Sequence, residues 1–78
     1  MSAAVPRPLD LRGTPCPLNY IRSKLALEKL GPGAWLQVDL DAGEPDQLVA
    51  SGLRGEGHHV EREALSPEVV RLRVRRHG

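Results

Sequence analysis

Four segments of the chain alternate apolar with polar residues. This alternation predicts β-strands, because successive side chains of a strand point to opposite faces. In the first segment Leu9 and Leu11 alternate with charged residues, so both leucines are expected on the inner face. The predicted strands cover residues 9–12, 35–41, 58–65 and 68–75.

Two helices are predicted between these strands. Residues 17–30 are mostly good helix formers, and the segment Gly31-Pro32-Gly33 ends that helix. Pro17 suits the first helical position, where its missing N–H would have no partner. The second helix begins near Pro45 and ends at Gly57. We expect it to be short and frayed, because it contains two glycines that each cost about 1 kcal/mol relative to Ala.

The first helix carries apolar side chains on two faces. One face carries Tyr20, Ala26, Leu27 and Leu30. The other face carries Leu18, Ile21 and Leu25. Only one face can be fully buried in a two-layer domain, so the other is half-exposed or forms a contact surface.

The order of the predicted elements is strand, helix, strand, helix, strand, strand. A strand–helix–strand unit favours parallel neighbours with a right-handed crossover, and the short turn before the last strand favours an antiparallel hairpin. We therefore predict an α/β (α+β) two-layer sandwich, a mixed four-stranded sheet with two helices on one face. Residues 1–7 are predicted to form a flexible arm and residues 8–78 a single domain.

Composition limits the class of protein. A chain of 78 residues with a net charge of +1 allows one small domain and excludes nucleic-acid binding through net charge alone. One cysteine excludes an internal disulfide framework, a CxxC redox pair and a multi-thiolate zinc site. No apolar run approaches the roughly 18 residues of a membrane span, and the amino terminus lacks a signal pattern. We expect a soluble, reduced, cytoplasmic protein without a metal.

Cys16 stands directly before Pro17, at the start of the first predicted helix. Proline disfavours helical angles in the preceding residue, which indicates that Cys16 occupies the cap position. There, free backbone N–H groups and the helix dipole would favour the thiolate, the nucleophilic form of the side chain. The alternative interpretation is that a lone cysteine is a buried apolar residue of the core.

No base is evident beside Cys16. The chain has three histidines, His58, His59 and His77, and nothing in the sequence places one of them near the sulfur. Adjacent histidines in a strand point to opposite faces, so His58 and His59 are interpreted as surface residues rather than metal ligands. The pattern is unlike a Cys–His hydrolase. A lone exposed thiol fits a protein that accepts an atom from one partner and gives it to another.

Asp10 and Arg12 lie on the same side of the first predicted strand. One interpretation is an ion pair on the sheet surface, which contributes little to stability. The other is that the two side chains organise the loop that leads to Cys16.

The last strand places three arginines on one face, Arg71, Arg73 and Arg75. Arg62 and Arg76 are candidates to extend this patch. Such a charged face either protects an edge of the sheet or docks an acidic protein or an RNA backbone. With few aromatic side chains available for base stacking, direct RNA binding is not expected.

The residues around Cys16 carry a family resemblance. The segment Leu9-Asp10-Leu11-Arg12-Gly13, followed after two residues by Cys16-Pro17, resembles the start of the TusA/SirA-like sulfur-carrier family. Gly31-Pro32-Gly33, the turn at Asp41, and Gly57-His58 before Val60 match later landmarks of the family. The resemblance runs from about residue 8 to residue 75. The family signature is Cys-Pro-x-Pro, and in this chain Asn19 stands in place of the second proline.

The resemblance implies the βαβαββ sandwich and a persulfide on Cys16. Sulfur would come from a cysteine desulfurase or another sulfurtransferase and pass to a downstream acceptor, as in tRNA thiolation, molybdenum-cofactor synthesis or sulfur oxidation. No cofactor is implied, and a monomer is expected, because the thiol must reach into a partner's site.

Several residues have proposed roles in such a carrier. The backbone N–H groups of Leu18 and Asn19 would stabilise the sulfur anion, although the Asn19 side chain could instead act as a local cap. Asp10, Arg12 and Pro17 would organise the loop. The docking surface would include Leu18, Ile21 and Leu25, and we expect Leu25→Glu to weaken transfer while leaving the fold intact.

Two other functions stay open at the level of sequence. The first is a small regulatory or RNA-binding module that uses Arg71, Arg73 and Arg75, with Cys16 incidental. It predicts salt-dependent RNA binding that survives Cys16→Ser. The second is a redox sensor, which the lack of a resolving cysteine disfavours.

Overall fold

The computed structural model describes residues 7–77. The elements are β1 (Arg7–Asp10), α1 (Leu18–Glu28), β2 (Trp35–Asp41), α2 (Glu44–Gly55), β3 (His59–Ala64) and β4 (Val69–Arg75). The predicted fold class is confirmed, with two helices and a mixed four-stranded sheet. Of the predicted arm, residues 1–6 lie outside the described part, and Arg7 is the first residue of β1. Neither of the two helices between residues 7 and 77 is long and apolar enough to cross a membrane.

The strands are arranged in the order β1-β2-β4-β3. β1 is parallel to β2, and β4 is antiparallel to both β2 and β3. The expectation of parallel neighbours is therefore correct for β1 and β2 but wrong for β2 and β3. The connection from β2 through α2 to β3 is long enough to leave space for one strand between β2 and β3. β4 returns through the tight turn after β3, enters that space and pairs on both of its edges.

The core lies between the sheet and the two helices. The inner faces of β2 and β4 are completely buried and follow the alternation seen in the sequence. The helices contribute Leu27 from α1, and Val49, Ala50 and Leu53 from α2. From the sheet side the core contains Leu11, Leu36, Val38, Leu40, Val60, Val70, Leu72 and Val74.

The start of α1 differs from the prediction by one residue. Pro17 is the N-cap rather than the first helical residue, and its φ of −95° and ψ of 9° lie outside the regular helix. Cys16 therefore stands one position before the cap instead of occupying it. β1 also ends earlier than predicted, at Asp10, because the chain turns at Gly13, whose φ of 76° lies in the left-handed region.

The prediction of a short, frayed α2 is wrong. The helix has 12 residues, one more than α1. Its first turn is held by the buried carboxylate of Asp46, which accepts a hydrogen bond of 2.6 Å from the Gly43 N–H and one of 2.8 Å from Arg62. At Gly52 the absence of a side chain lets the ring of Tyr20 approach the helix. Tertiary contacts thus compensate for a weak local propensity.

Candidate functional site

Cys16 lies in the loop that joins β1 to α1. Its side chain is exposed and the thiol is free, so the interpretation of Cys16 as a buried core residue is wrong. Pro15 and Pro17 flank it, and the Cys16–Pro17 peptide bond is cis. The two prolines fix the backbone dihedral φ on both sides of the thiol.

The backbone of this loop is attached to the carboxyl end of β2. Leu11 is buried and donates its N–H to the Asp39 carbonyl at 2.9 Å. Gly13 donates its N–H to Asp41 Oδ2 at 2.9 Å, and Thr14 donates to the Leu11 carbonyl at 3.0 Å. Three hydrogen bonds therefore determine the course of the chain immediately before Cys16.

Sequence reasoning identified Asp41 only as a turn residue, although its carboxylate anchors the loop. The sequence nevertheless contained a signal for this contact. β1 and β2 were predicted to be parallel, and the carboxyl ends of parallel strands meet at one edge of a sheet. A polar residue at the end of β2 was therefore a candidate partner for the loop that follows β1.

The first turn of α1 corrects the predicted hydrogen-bond donors. The Asn19 N–H donates to the Pro15 carbonyl at 3.1 Å, so it is not free for the Cys16 sulfur. The Leu18 N–H makes no hydrogen bond to any residue between 7 and 77 and remains available. Of the two predicted backbone donors, one is therefore engaged within the loop.

The side chain of Asn19 lies in the core. It is completely buried, and its Oδ1 accepts a hydrogen bond of 2.7 Å from the Tyr20 N–H, which agrees with the alternative of a local cap. Its Nδ2 has no hydrogen-bond partner within residues 7–77. An unpaired buried donor costs about 1–3 kcal/mol. The Asn19 side chain is thus a structural feature of the helix interior and does not extend the exposed thiol site.

Asp10 and Arg12 form an ion pair at the entrance of the loop. Arg12 Nε lies 2.9 Å from Asp10 Oδ1, and Arg12 Nη2 lies 2.8 Å from Asp10 Oδ2. The Arg12 backbone N–H also donates to Oδ1, at 3.1 Å. The side-chain hydrogen bond, together with the backbone one, lowers the pKa of Asp10 from 3.8 to about 2. The same hydrogen bond raises the pKa of Arg12. The pair spans the turn after β1 rather than the face of a strand.

The histidines lie far from Cys16. His59 stands at the start of β3. It pairs with Arg75 of β4, which in turn pairs with Trp35 at the start of β2. Its Nε2 is 3.0 Å from Glu61 Oε2, and its ring meets Trp35 edge-to-face with centroids 5.9 Å apart. The loop of Cys16 is attached to the other end of β2, which is roughly 20 Å away at about 3.3 Å per residue.

His58 is bound near the chain end, where its Nδ1 accepts the His77 N–H at 3.0 Å. Within residues 7–77, no three side chains of His, Cys, Asp or Glu are grouped so that they could hold a metal ion. Within the described part of the chain, His58 and His59 thus lie away from the Cys16 loop, and no metal ligand set is formed there.

The arginines of β4 are interleaved with acids. Arg71 binds Asp39 at 2.8 and 3.2 Å, and Arg73 binds Glu63 at 2.7 Å. Arg75 forms no ion pair with any residue between 7 and 77. The three arginines share a face as predicted, but two of them are neutralised and do not form an open basic patch.

The predicted extension of this patch is wrong. Arg62 points to the other side of the sheet, where its Nε binds the buried Asp46 carboxylate at 2.8 Å. Arg76 donates to the Leu30 carbonyl. Residue alternation along β3 places Arg62 on the face of Val60, toward the helices.

One apolar face of α1 is exposed next to Cys16. Leu18, Ile21 and Leu25 have exposed fractions of 45%, 43% and 52%. Leu27 on the opposite side is buried, with Tyr20, Ala26 and Leu30 packed against the core. The face predicted as half-exposed is therefore the one that starts beside the thiol.

Comparison with known proteins places this arrangement in a family. The family model described as Sulfurtransferase TusA matches residues 7–76. A protein from Archaeoglobus fulgidus named "Putative sulfur carrier protein" is 38% identical over 52 residues. Those residues are 67% of this chain, and the chain spans 59% of the length of that relative.

A solved structure is similar over almost the whole domain. The crystal structure of a SirA-like protein from Desulfitobacterium hafniense matches with a TM-score of 0.80 and 26% sequence identity. The match covers 91% of this chain and 97% of that one. With the family model matching residues 7–76 and the fold shared, the chain belongs to the TusA sulfurtransferase family.

Proposed function

We propose that this protein is a sulfur carrier that holds sulfur as a persulfide on Cys16. The observation that carries the proposal is an exposed free thiol on a loop whose backbone is attached to β2. Sulfur exchange between thiols needs a thiolate and access to the partner, but no general base. The site has the access and lacks a histidine, which fits group transfer better than hydrolysis.

In the proposed reaction, the Cys16 thiolate attacks the outer sulfur of a persulfide on the donor protein. The sulfur–sulfur bond of the donor breaks, and the donor cysteine leaves as a thiolate. A new sulfur–sulfur bond forms on Cys16, so one sulfur atom moves and no external oxidant or reductant is needed. The free Leu18 N–H and the positive end of α1 favour the negative charge on the carried sulfur.

The donor would be a cysteine desulfurase or another sulfurtransferase. The acceptor would be a protein of tRNA thiolation, molybdenum-cofactor synthesis or sulfur metabolism. Asp10, Arg12 and Pro17 hold the loop in this proposal, and the protein acts as a monomer so that the thiol can enter a partner's site.

The direct test is intact-mass spectrometry without reductant, after incubation with a cysteine desulfurase and cysteine. Wild type and Cys16→Ser are compared, and inorganic polysulfide serves as a second donor that needs no docking. We expect wild type alone to gain one sulfur atom, and reductant to remove it. A folded wild type with an alkylatable thiol that takes no sulfur from either source would contradict the proposal.

The exposed face of α1 is proposed as the docking surface for these proteins. Ile21→Glu places a charge in its centre, and Leu48→Glu is the matched control on α2, with an exposed fraction of 45% against 43% for Ile21. We expect Ile21→Glu to slow sulfur gain from the desulfurase, whereas gain from polysulfide stays unchanged. Equal rates for Ile21→Glu and Leu48→Glu would place docking elsewhere.

A further inference from the structure

A groove with a volume of about 490 Å³ lies between α1 and the edge strand β1. Its apolar surface is formed by Leu9 and Leu36 of the sheet together with Ala26 and Leu30 of the α1 segment. Three cationic side chains, Arg7, Arg22 and Lys29, stand along it. Among residues 7–77, no acidic side chain lines the groove.

The groove exists because the helices do not cover the sheet evenly. α1 packs mainly against β2 and α2, while α2 packs against β2, β3 and β4. β1 is therefore packed less closely against the helices than β2 is. Leu9 is left only partly buried, although it packs against the core.

The cations of the groove differ from most other arginines of the domain. Arg7, Arg22 and Lys29 form no ion pair with any residue in the described range 7–77. Elsewhere, Arg12, Arg62, Arg71 and Arg73 each bind a carboxylate. An apolar floor beside three cations without carboxylate partners is complementary to a surface that is both apolar and acidic.

Two kinds of occupant fit the groove poorly. In the ladder of β1 with β2 the Leu11 N–H points to β2, so by alternation the outer edge presents the positions of Pro8 and Asp10. Pro8 has no N–H, which weakens pairing with an added strand. A small molecule is normally enclosed over most of its surface, whereas this groove is only partly enclosed.

We propose that the groove binds an acidic amphipathic helix of a partner protein. The lining residues of α1 and of the segment that ends it run from Arg22 to Leu30, which corresponds to about 12 Å or two helical turns. A helix of that length would place apolar side chains on Leu9, Leu25 and Leu30, with acidic residues beside the cations. It would cover the side of β1 that the helices pack against least.

The identity of the partner rests on the proposed function. Leu25 belongs both to the exposed face that starts beside Cys16 and to the groove. A protein docked at Cys16 along that face therefore reaches the groove without a gap. The helix would belong to the protein that gives sulfur to Cys16 or takes it away.

The test uses the full-length chain labelled with ¹⁵N and a stapled helical peptide of about 14 residues, since shorter unconstrained helices are marginal in water. The peptide carries leucines on one face, flanked by glutamates. We expect amide shifts at residues 7–9, 22–30 and 36, and an affinity that falls with added salt. The same peptide with lysine in place of glutamate should not shift these residues.

Matched variants test the charge complementarity. Arg22→Glu should weaken peptide binding about fivefold to tenfold, because it turns an attraction on the surface into a repulsion. Arg75→Glu makes the same charge change on the outer face of the sheet and should change affinity less than twofold. Equal binding of the lysine peptide, equal effects of both variants, or no shift in the groove would overturn the proposal.

Two other occupants give distinct results that would also overturn it. Deletion of residues 1–6 would strengthen peptide binding severalfold if the chain's own amino-terminal segment occupied the groove. Sedimentation would show a dimer that the peptide dissociates if a second copy occupied it. Cys16→Ser should bind the peptide like wild type. The test of the groove is therefore independent of the test of the persulfide on Cys16.

Discussion

Gly52→Ala tests whether the contact between the two helices depends on a missing side chain. A Cβ atom at position 52 would lie 2.6 Å from Tyr20 Cε1 and 2.9 Å from Tyr20 Cδ1. The ring cannot swing away freely, because the Tyr20 hydroxyl bonds to Glu56, which also lies 3.5 Å from Lys24. The ring or the helix must therefore move by about 1 Å to reach ordinary contact distances of about 3.5–4.0 Å.

Two opposing effects determine the free energy of unfolding of this variant. Replacing Gly by Ala inside a helix gains up to about 1 kcal/mol. Forcing an extra carbon into a packed contact costs about 1–3 kcal/mol. We expect a net loss of about 1 kcal/mol, which lowers Tm by roughly 4–8 °C in a domain of this size.

The assay is thermal and urea unfolding followed by circular dichroism and by the fluorescence of Trp35. Gly55→Ala is the matched control in the same helix, since a Cβ at Gly55 would meet no atom within 4 Å. We expect this control to be neutral or more stable than wild type. In a Tyr20→Ala background, Gly52→Ala should become stabilising, and the double-mutant cycle measures the coupling.

The reasoning fails if Gly52→Ala stabilises the domain as much as Gly55→Ala does. It also fails if the effect of Gly52→Ala is the same with and without the Tyr20 ring. Either result would mean that the ring adapts at no cost, and that Gly52 does not determine how closely α1 approaches α2.

Three further predictions concern the loop and the exposed face. Arg12→Gln should raise the pKa of Asp10 from about 2 toward 3.8, because the largest stabiliser of the carboxylate is lost. NMR titration of wild type and variant measures the pKa of Asp10. In wild type, the contribution of the Asp10–Arg12 pair to stability should be present above about pH 4 and be lost as the pH falls to about 2. Asp41→Ala should speed hydrogen exchange of the Gly13 amide and cost about 0.5–1.5 kcal/mol, and unchanged exchange would show that the bond is not formed in solution. Leu25→Glu should change the free energy of unfolding by less than about 0.5 kcal/mol, because half of the side chain is exposed, and slow sulfur transfer from a protein donor; a large loss of stability would show that this face is core.

Much of the fold followed from short-range patterns. The alternation in residues 35–41 and 68–75 predicted strands with Leu36 and Leu72 inside, and both side chains are completely buried. The break at Gly31-Pro32-Gly33 limited α1. These predictions succeeded because a buried face imposes a period of two on any strand, whatever its neighbours are.

The position of β4 could not be predicted in the same way. Alternation indicates which face of a strand is buried, but not which strands lie on its two edges. β4 lies between β2 and β3 because its backbone pairs with both. That arrangement depends on hydrogen bonds between residues far apart in sequence, and local patterns do not report them.

In the candidate site, too, the sequence indicated the main residues but not their detailed contacts. The sequence indicated Cys16 before a helix, flanked by prolines, and the pairing of Asp10 with Arg12. It misplaced the cap by one residue and assigned the Asn19 N–H to the sulfur, whereas the Pro15 carbonyl accepts that bond. Such details depend on dihedral angles at individual residues, which propensities describe only on average.

The sequence by itself determined the order of the elements, the class of fold and the position of the one cysteine before the first helix, because these follow from local periodicity and residue chemistry. Only the tertiary structure decided that Asp41 anchors the loop, that acids neutralise Arg71 and Arg73, and that β1 packs less closely against the helices than β2 does. Each of these depends on which distant residues become neighbours, and that is settled when the sheet and the helices pack together.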